Sequence, residues 1–427
     1  MPDKQNKITK ILIIGICVMI FILALTGVYR MAKNKAERVG YSSSSKMETT
    51  EVPETVDEKE IKYKDVSPNS LYYISNDSVI KMCAFGDGIV VLTNSSTIYL
   101  DARGNSAVNT LKYKSPVMIV DGNSVLVYDK EGTGYRIEDD TGVVDEFTAP
   151  GNIYTMDYLN DYIAVAYNDN IFTSVFKVIN PKGTEIYSAN LADEYIINVK
   201  ITPDCNAVTI GAVNSADAEI YSIIRTYQFD YNTEFYTLTK NGETIVAIYP
   251  QSASKITFVT DCGFYGYEHS NNTETAYQSY SIGSLRAVMT DSGTNHIAIV
   301  TAQYGNNDYE QLALYKKNGS LVNTVALKGN AKNFNNGSDY LSINYGNSVE
   351  TYTFNGSLIG TSILDSAKTL CIPSGSSLYV LSDNSLYILS AKGNYKAVEA
   401  TVDNDVTVTT TTAETTTEAK EEGKTEQ

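Results

Sequence analysis

Leu378-Tyr379-Val380-Leu381, a short polar turn, Leu386-Tyr387-Ile388-Leu389 and then Gly393 form the stretch that decides how this chain is read. Two apolar runs of four residues, rich in β-formers and bounded by Ser, Asp and Asn, describe a strand hairpin. The same unit occurs eight times between Ile89 and Gly393. It pairs residues 89–92 with 97–100 at the start, 163–166 with 175–179 later, and 297–300 with 312–315 further on. The closing turns fall at Gly104, Gly142, Gly183, Asn232, Asn272, Gly319, Gly356 and Gly393, in steps of 37 to 49 residues. No stretch after residue 60 shows a sustained helical period. A period of about 40–50 residues made of strands belongs to propeller blades.

Each unit leaves room for two more strands. Residues 117–119, 196–199 and 245–248 are inner candidates, and residues 185–187, 321–322 and 395–398 are outer ones. Four strands make a blade, and blades stack in a ring because one such sheet cannot cover both of its faces. The expected fold is therefore all-β, a β-propeller of eight four-stranded blades, or of seven if one unit is a peripheral hairpin. Leu71-Tyr72-Tyr73-Ile74 is a further strand, placed to complete the last blade and close the ring. Asn318-Gly319 and Asn355-Gly356 predict two-residue turns with positive φ, and Asn232 and Asn272 suit the same conformation.

Outside the repeats the composition changes. Residues 11–29 carry no charge, and nineteen helical residues span about 28 Å, close to the hydrocarbon thickness of a bilayer. Lys4, Lys7 and Lys10 precede this segment and Arg30, Lys33, Lys35 and Arg38 follow it, so the flanking charges do not orient it. A cleaved signal peptide is the rival reading, against which stand the length of the apolar run and the lack of a small-x-small junction. The expectation is an uncleaved single-pass anchor. Residues 1–10 would then be a cytoplasmic tail, 30–66 a disordered Ser-rich and acidic linker, and 67–400 a propeller on the extracytoplasmic side. Residues 401–427, with their Thr cluster and Glu, read as a disordered tail.

The chain of 427 residues has a formal charge of −17 and no Lys or Arg run among its aromatics, which argues against nucleic acid as a partner. It holds 33 Tyr and no Trp, and Tyr suits half-buried strand faces. His269 and His296 are its two histidines, and no G-x-S-x-G elbow supplies either with a nucleophile. Asp139-Asp140 and Asn168-Asp169-Asn170 read as turns, since no D-x-[DN]-x-[DN]-G calcium loop is present. Gly86-Asp87-Gly88 and Gly132-Thr133-Gly134 open no helix that could hold a phosphate. Cys17 lies in the apolar segment and lacks the small residue expected before a lipidated cysteine. Cys83 and Cys371 fall at matching places on inner strands of the first and last units, where blade spacing disfavours a bridge. Cys205 and Cys262 fall near opposite faces, so the four propeller cysteines read as buried or inert thiols without a zinc motif. No catalytic, cofactor-binding or metal residue is nominated, and the sequence does not locate a binding site.

The ends Tyr99-Leu100-Asp101-Ala102-Arg103-Gly104 and Leu314-Tyr315-Lys316-Lys317-Asn318-Gly319 resemble the WD40-like and quinoprotein-like propeller superfamily over residues 67–400. The Trp-Asp and Gly-His signatures of WD40 repeats are missing, and so are the Trp-bearing repeats of quinoproteins, which leaves no cofactor implied. The overall plan resembles an uncharacterised family of bacterial envelope proteins, with one anchor and a propeller outside, and this implies no activity residue by residue. Two classes of function follow. The first is a non-enzymatic scaffold that binds protein or glycan partners at the cell envelope through loops on one face. The second is an envelope hydrolase or lyase that uses acids at the channel on carbohydrate. Convergent carboxylates in the channel would favour the second, and an exposed apolar or aromatic patch the first.

Overall fold

The computed structural model describes residues 70–393, except 75–76, 215–219, 232, 291–294, 304–305, 338, 364–369 and 383–384. The apolar segment 11–29, the linker 30–66 and the tail 401–427 lie outside the described residues. Among the described residues, no helix is long and apolar enough to cross a membrane.

The strands form eight separate four-stranded antiparallel sheets, so the ring has eight blades. The inner strands of blades 1 to 8 are Val79–Phe85, Pro116–Asp121, Ile153–Leu159, Tyr195–Ile201, Ile245–Ser252, Leu285–Thr290, Asn333–Asn336 and Leu370–Ser374. In blades 1 to 7 the strands run in chain order from inside to outside. Blade 8 breaks that order: its outermost strand is Ser70–Tyr73, paired antiparallel to Ser385–Ser390 through Ser70↔Tyr387, Tyr72↔Leu386 and Tyr73↔Ser385. The two ends of the domain thus share one sheet, as the run from Leu71 to Ile74 predicts. Residues 395–398, the other outer candidate for this blade, lie outside the described residues.

Burial follows position in the blade. Gly88–Thr93 and Ser96–Leu100, second and third in blade 1, are buried throughout, whereas the outer strand Ser106–Thr110 alternates exposed and half-buried residues. Strands covered on both faces read as continuous apolar runs, which is why the hairpins stand out in the sequence. The apolar clusters lie between blades. Ile89 and Val91 of blade 1 pack with Tyr379 and Leu381 of blade 8, and Phe176 and Val178 of blade 3 with Val208 and Ile210 of blade 4. Each such side chain contributes roughly 1.5–3 kcal/mol on burial, so the ring is held by its blade interfaces.

The closing turns at Asn318-Gly319 and Asn355-Gly356 differ in type from the sequence expectation. Gly319 N donates to Lys316 O and Lys316 N to Ser320 O, and Gly356 N and Thr353 N pair in the same way with Thr353 O and Ser357 O, each at 2.9 Å. The turn at Gly104 shares the pattern. Gly104 N donates to Asp101 O and Asp101 N to Asn105 O, each at 3.1 Å, while Gly104 sits at φ 86°. This is a four-residue turn, Asp101–Gly104, whose fourth residue is the left-handed glycine, and the extra residue forms a bulge in place of a two-residue turn. The Asp101 carboxylate stabilises it by accepting from Arg103 N and Asn105 N, each at 2.8 Å. Asn272 adopts φ 50° as predicted, at the end of the short 3-10 helix His269–Asn271, and Asn232 lies outside the described residues.

Candidate interface at one mouth of the channel

Five inner strands carry an irregularity at the same place. Pairing with the second strand shifts between Val79 and Lys81 in blade 1 and between Ile153 and Thr155 in blade 3. It shifts between Ile196 and Asn198 in blade 4, between Ile245 and Ala247 in blade 5, and between Leu285 and Ala287 in blade 6. The residues left out of register are Ile80, Tyr154, Ile197, Val246 and Arg286. A bulge of this kind bends the strand and re-aims the extra side chain. Every blade repeats one topology, so these residues share one end of the channel. There the second-to-third connections and the links between blades also gather. We refer to this end as the upper face. Ile80, Val246 and Arg286 are exposed, and Tyr154 and Ile197 are half-buried.

Further apolar side chains stand in or beside the upper loops. Ile171 is 82% exposed and Tyr309 70%, and Tyr195, Ile220 and Ile282 are also open to solvent. The Tyr154 and Tyr195 rings lie 6.4 Å apart at 58°. Tyr154 donates its hydroxyl to Thr173 O at 3.1 Å, which ties it to the loop that carries Ile171, and Asp169 Oδ1 fixes that loop by accepting from Ile171 N at 2.8 Å. Burial, helped by Tyr195, raises the pKa of the Tyr154 hydroxyl. At the other face, exposed apolar residues such as Val143, Leu321 and Leu358 begin outer strands, at the rim and away from the channel.

Two arginines nearby, Arg225 and Arg286, are in ion pairs. Arg225 Nη2 lies 2.6 Å from Glu194 Oε1, just before the inner strand of blade 4, and its Nη1 lies 3.5 Å from Glu234. Burial raises the Glu194 pKa and the Arg225 charge opposes that rise. Arg286 Nε sits 3.3 Å from Glu310 Oε1, and Glu310 Oε2 accepts from Ala331 N at 3.1 Å, which joins blade 6 to the link into blade 7.

Asp121 and Asp157 are the two carboxylates on the described inner strands. Asp121 Oδ2 accepts from Asn160 N of blade 3 at 2.6 Å. Asp157 is buried, ion-paired with Lys200, and accepts from Ile201 N of blade 4 at 2.9 Å. Both are committed to joining successive blades, whereas a glycosidase needs two carboxyl groups facing one substrate bond. Lys81 Nζ does similar work by donating to Met118 O of blade 2 at 3.1 Å. Among the described residues, no group of three or more His, Cys, Asp or Glu is placed to hold a metal ion.

The structure scatters the residues singled out in the sequence. His269 packs its ring against Phe235 at 4.7 Å and Tyr236 at 5.2 Å, and His296 stacks on Phe354 at 5.3 Å and 13°. Burial lowers the His296 pKa, with Lys316 and Lys317 adding to the effect. Asp139 Oδ1 accepts from Thr141 N and Gly142 N, and Asn168 Oδ1 accepts from Asn152 N, so both runs are turn caps. Gly88 is required by packing, since a Cβ there would meet Leu100 O at 1.9 Å. Cys83, Cys205 and Cys262 are half-buried, more open than the sequence suggests. Cys205 and Cys262 lie in loops of opposite faces, and Cys17 lies outside the described residues. Burial, then Asp261 and Glu243, push the Cys262 thiol up to about 11. The bulges escape the sequence reading, although they leave a trace. Val79-Ile80, Ile153-Tyr154, Ile196-Ile197 and Ile245-Val246 each place two large apolar residues in succession where alternation calls for one.

The fold defines a WD40-like β-propeller. The C-terminal WD40 domain of Sif2 matches with a TM-score of 0.54 at 13% identity, over 76% of this chain and 98% of that one. A structure of the eukaryotic initiation factor is 14% identical over 78% of this chain and 90% of its own, with a TM-score of 0.49. The chain belongs to the family of unknown function DUF5711, whose sequence profile matches residues 58–414. No curated protein matches it.

Proposed function

We propose that this protein is a membrane-anchored, extracytoplasmic binding module that holds a protein partner at the cell envelope across the upper mouth of its channel. One observation carries the reading: the five bulges place Ile80, Tyr154, Ile197, Val246 and Arg286 around a single opening. Unpaired strand residues have no role in the ladder, and apolar side chains turned to solvent around a concave opening suit recognition. The loops on the same face add Ile171, Tyr195 and Tyr309. Anchoring rests on the uncharged segment 11–29, and the envelope setting on the acidic linker and Thr-rich tail that flank the propeller.

The test is capture from envelope extracts by the full chain in detergent, with purified wall glycans in parallel. Wild type and an Ile80→Ser/Val246→Ser variant are compared by mass spectrometry. A protein held by wild type and lost by the variant supports the reading. A glycan that is bound and shortened during incubation overturns it in favour of an envelope hydrolase or lyase.

A further inference from the structure

The upper face is not uniform around the ring, and its chemistry identifies a kind of partner. The described residues of the upper connections of blades 3 to 5 are 149–152, 168–173, 192–194, 220, 242–244 and 261–262. They contain no Lys or Arg. Asp169 and Asp193 stand exposed there, and Glu243 and Asp261 are half-exposed. The neighbouring cations do not offset this charge, because each is already flanked by two carboxylates. Arg225 lies between Glu194 and Glu234, and Lys240 lies 3.6 Å from Glu243 and 2.9 Å from Glu274. Two other links on the same face carry lysines, Lys112 and Lys114 between blades 1 and 2 and Lys328 and Lys332 between blades 6 and 7, where Lys328 is paired with Glu350 at 2.5 Å.

The acidic sector also holds part of the apolar surface. Ile171, Tyr154 and Tyr195 run across the boundary of blades 3 and 4, followed by Ile220 and Val246. A patch that combines exposed aromatic and aliphatic groups with unneutralised carboxylates is complementary to a polypeptide carrying both apolar and cationic side chains. Apolar contacts supply the affinity there, while charge sets orientation and association rate.

We infer that blades 3 to 5 of the upper face dock a basic, apolar-rich polypeptide segment of a partner protein, centred on Tyr154, Tyr195 and Ile171. This rests on the binding-module reading above and assigns its partner chemistry. Side chains of that segment enter between Tyr195 and Ile171, and its Lys or Arg residues meet Asp169 and Asp193.

The experiment uses the full chain in detergent and three short synthetic peptides, alternating Lys with Leu, Lys with Ser, or Glu with Leu. Binding is read by fluorescence anisotropy at low and high salt. The Lys/Leu peptide is expected to bind best and to weaken with salt. Ile171→Ser/Tyr195→Ser should weaken it about tenfold. The control is Leu321→Ser/Leu358→Ser on the opposite rim, which should leave binding unchanged. Equal binding of Lys/Leu to wild type and to Ile171→Ser/Tyr195→Ser would mean general attraction to an acidic protein, and would overturn the inference. So would preference for the Glu/Leu peptide, or no binding by any of the three. The partner-capture experiment separates the two readings. If Ile171→Ser/Tyr195→Ser keeps the envelope partner while Ile80→Ser alone, in blade 1 and outside the sector, loses it, the sector is wrong and the binding module stands.

Discussion

Tyr99 of blade 1 donates its hydroxyl across the blade boundary to Glu138 of blade 2 at 3.2 Å, where the Glu138 carboxylate also lies 2.6 Å from Arg136 Nη2. Arg136 and Glu138 are almost fully buried, and Arg136 Nη1 reaches back to Thr110 O of blade 1 at 2.7 Å. The three side chains and one carbonyl thus join two sheets through a charged group inside the ring. Burial foremost, then the Glu138 charge, hold the Tyr99 proton far above the ordinary phenol range.

Removing one partner of a buried ion pair strands the other, which typically costs about 3–5 kcal/mol, whereas losing one neutral donor costs about 1 kcal/mol. Glu138→Ala should therefore destabilise the propeller several times more than Tyr99→Phe. Urea unfolding of both variants checks this, and equal effects would show that the pair is not held as an ion pair.

The closure strand gives a second prediction. Ser70–Tyr73 covers the outer edge of blade 8 with four residues, and its loss would expose the backbone groups of Ser385–Ser390. Tyr72→Pro removes a backbone donor opposite Leu386 and should lower stability by more than about 1 kcal/mol. Limited proteolysis should then cut first within blade 8. Unchanged resistance there would mean that this strand does not hold the ring closed.

Much of this architecture is legible in the sequence, because a strand buried on both faces writes a continuous apolar run, as Ile89–Leu92 and Leu378–Leu381 do, and the unit that holds it recurs in all eight hairpins. The run from Leu71 to Ile74 also points to the closure. The turn type is not legible, because the same Asn-Gly pair serves a two-residue turn and a four-residue turn with a glycine bulge. The candidate site is hardly legible, since Tyr154 and Tyr195 lie 41 positions apart in the chain and meet only when blades 3 and 4 stack.

Cys262 yields a prediction with a defined pH range. Its pKa is raised from 9.0 to about 11, so the folded protein keeps the thiol neutral at pH 8. Alkylation at Cys262 should be slow at pH 8 and accelerate steadily toward pH 11, followed by mass spectrometry of the labelled peptide. The sign for stability follows from linkage. The unfolded thiol loses its proton first, so the contribution is fully present below pH 9 and is lost as pH rises toward 11. Fast labelling at pH 8 would contradict the burial that raises it.

The mouth residues should behave unlike core residues. Ile80 and Val246 are exposed on bulges, so serine at either position should change stability by less than about 0.5 kcal/mol. The equivalent change at Ile89 or Ile256, both fully buried, should cost more than about 2 kcal/mol. Thermal melts of the four variants separate the classes. A large loss at Ile80 would show that the bulge is a packing feature and remove it from the interface.

Tyr277 supplies the last test, through the glycines beneath its ring. A Cβ on Gly319 would lie 2.0 Å from the Tyr277 ring, and one on Gly266 would lie 2.4 Å from its hydroxyl oxygen. The hydroxyl donates to Asn318 O at 3.1 Å, so the ring of blade 5 is seated on the closing turn of blade 6. Gly346 offers the comparison, because it too has positive φ, at 99°, but open space where a Cβ would stand. Gly346→Ala should cost only the left-handed backbone penalty, about 1 kcal/mol. Gly319→Ala must add the displacement of an aromatic ring that joins two blades, and should cost at least twice as much. Combining it with Tyr277→Ala should recover the steric part and leave the backbone part, so the two changes should be strongly non-additive in unfolding experiments. Additive losses would mean that the turn and the ring do not depend on one another.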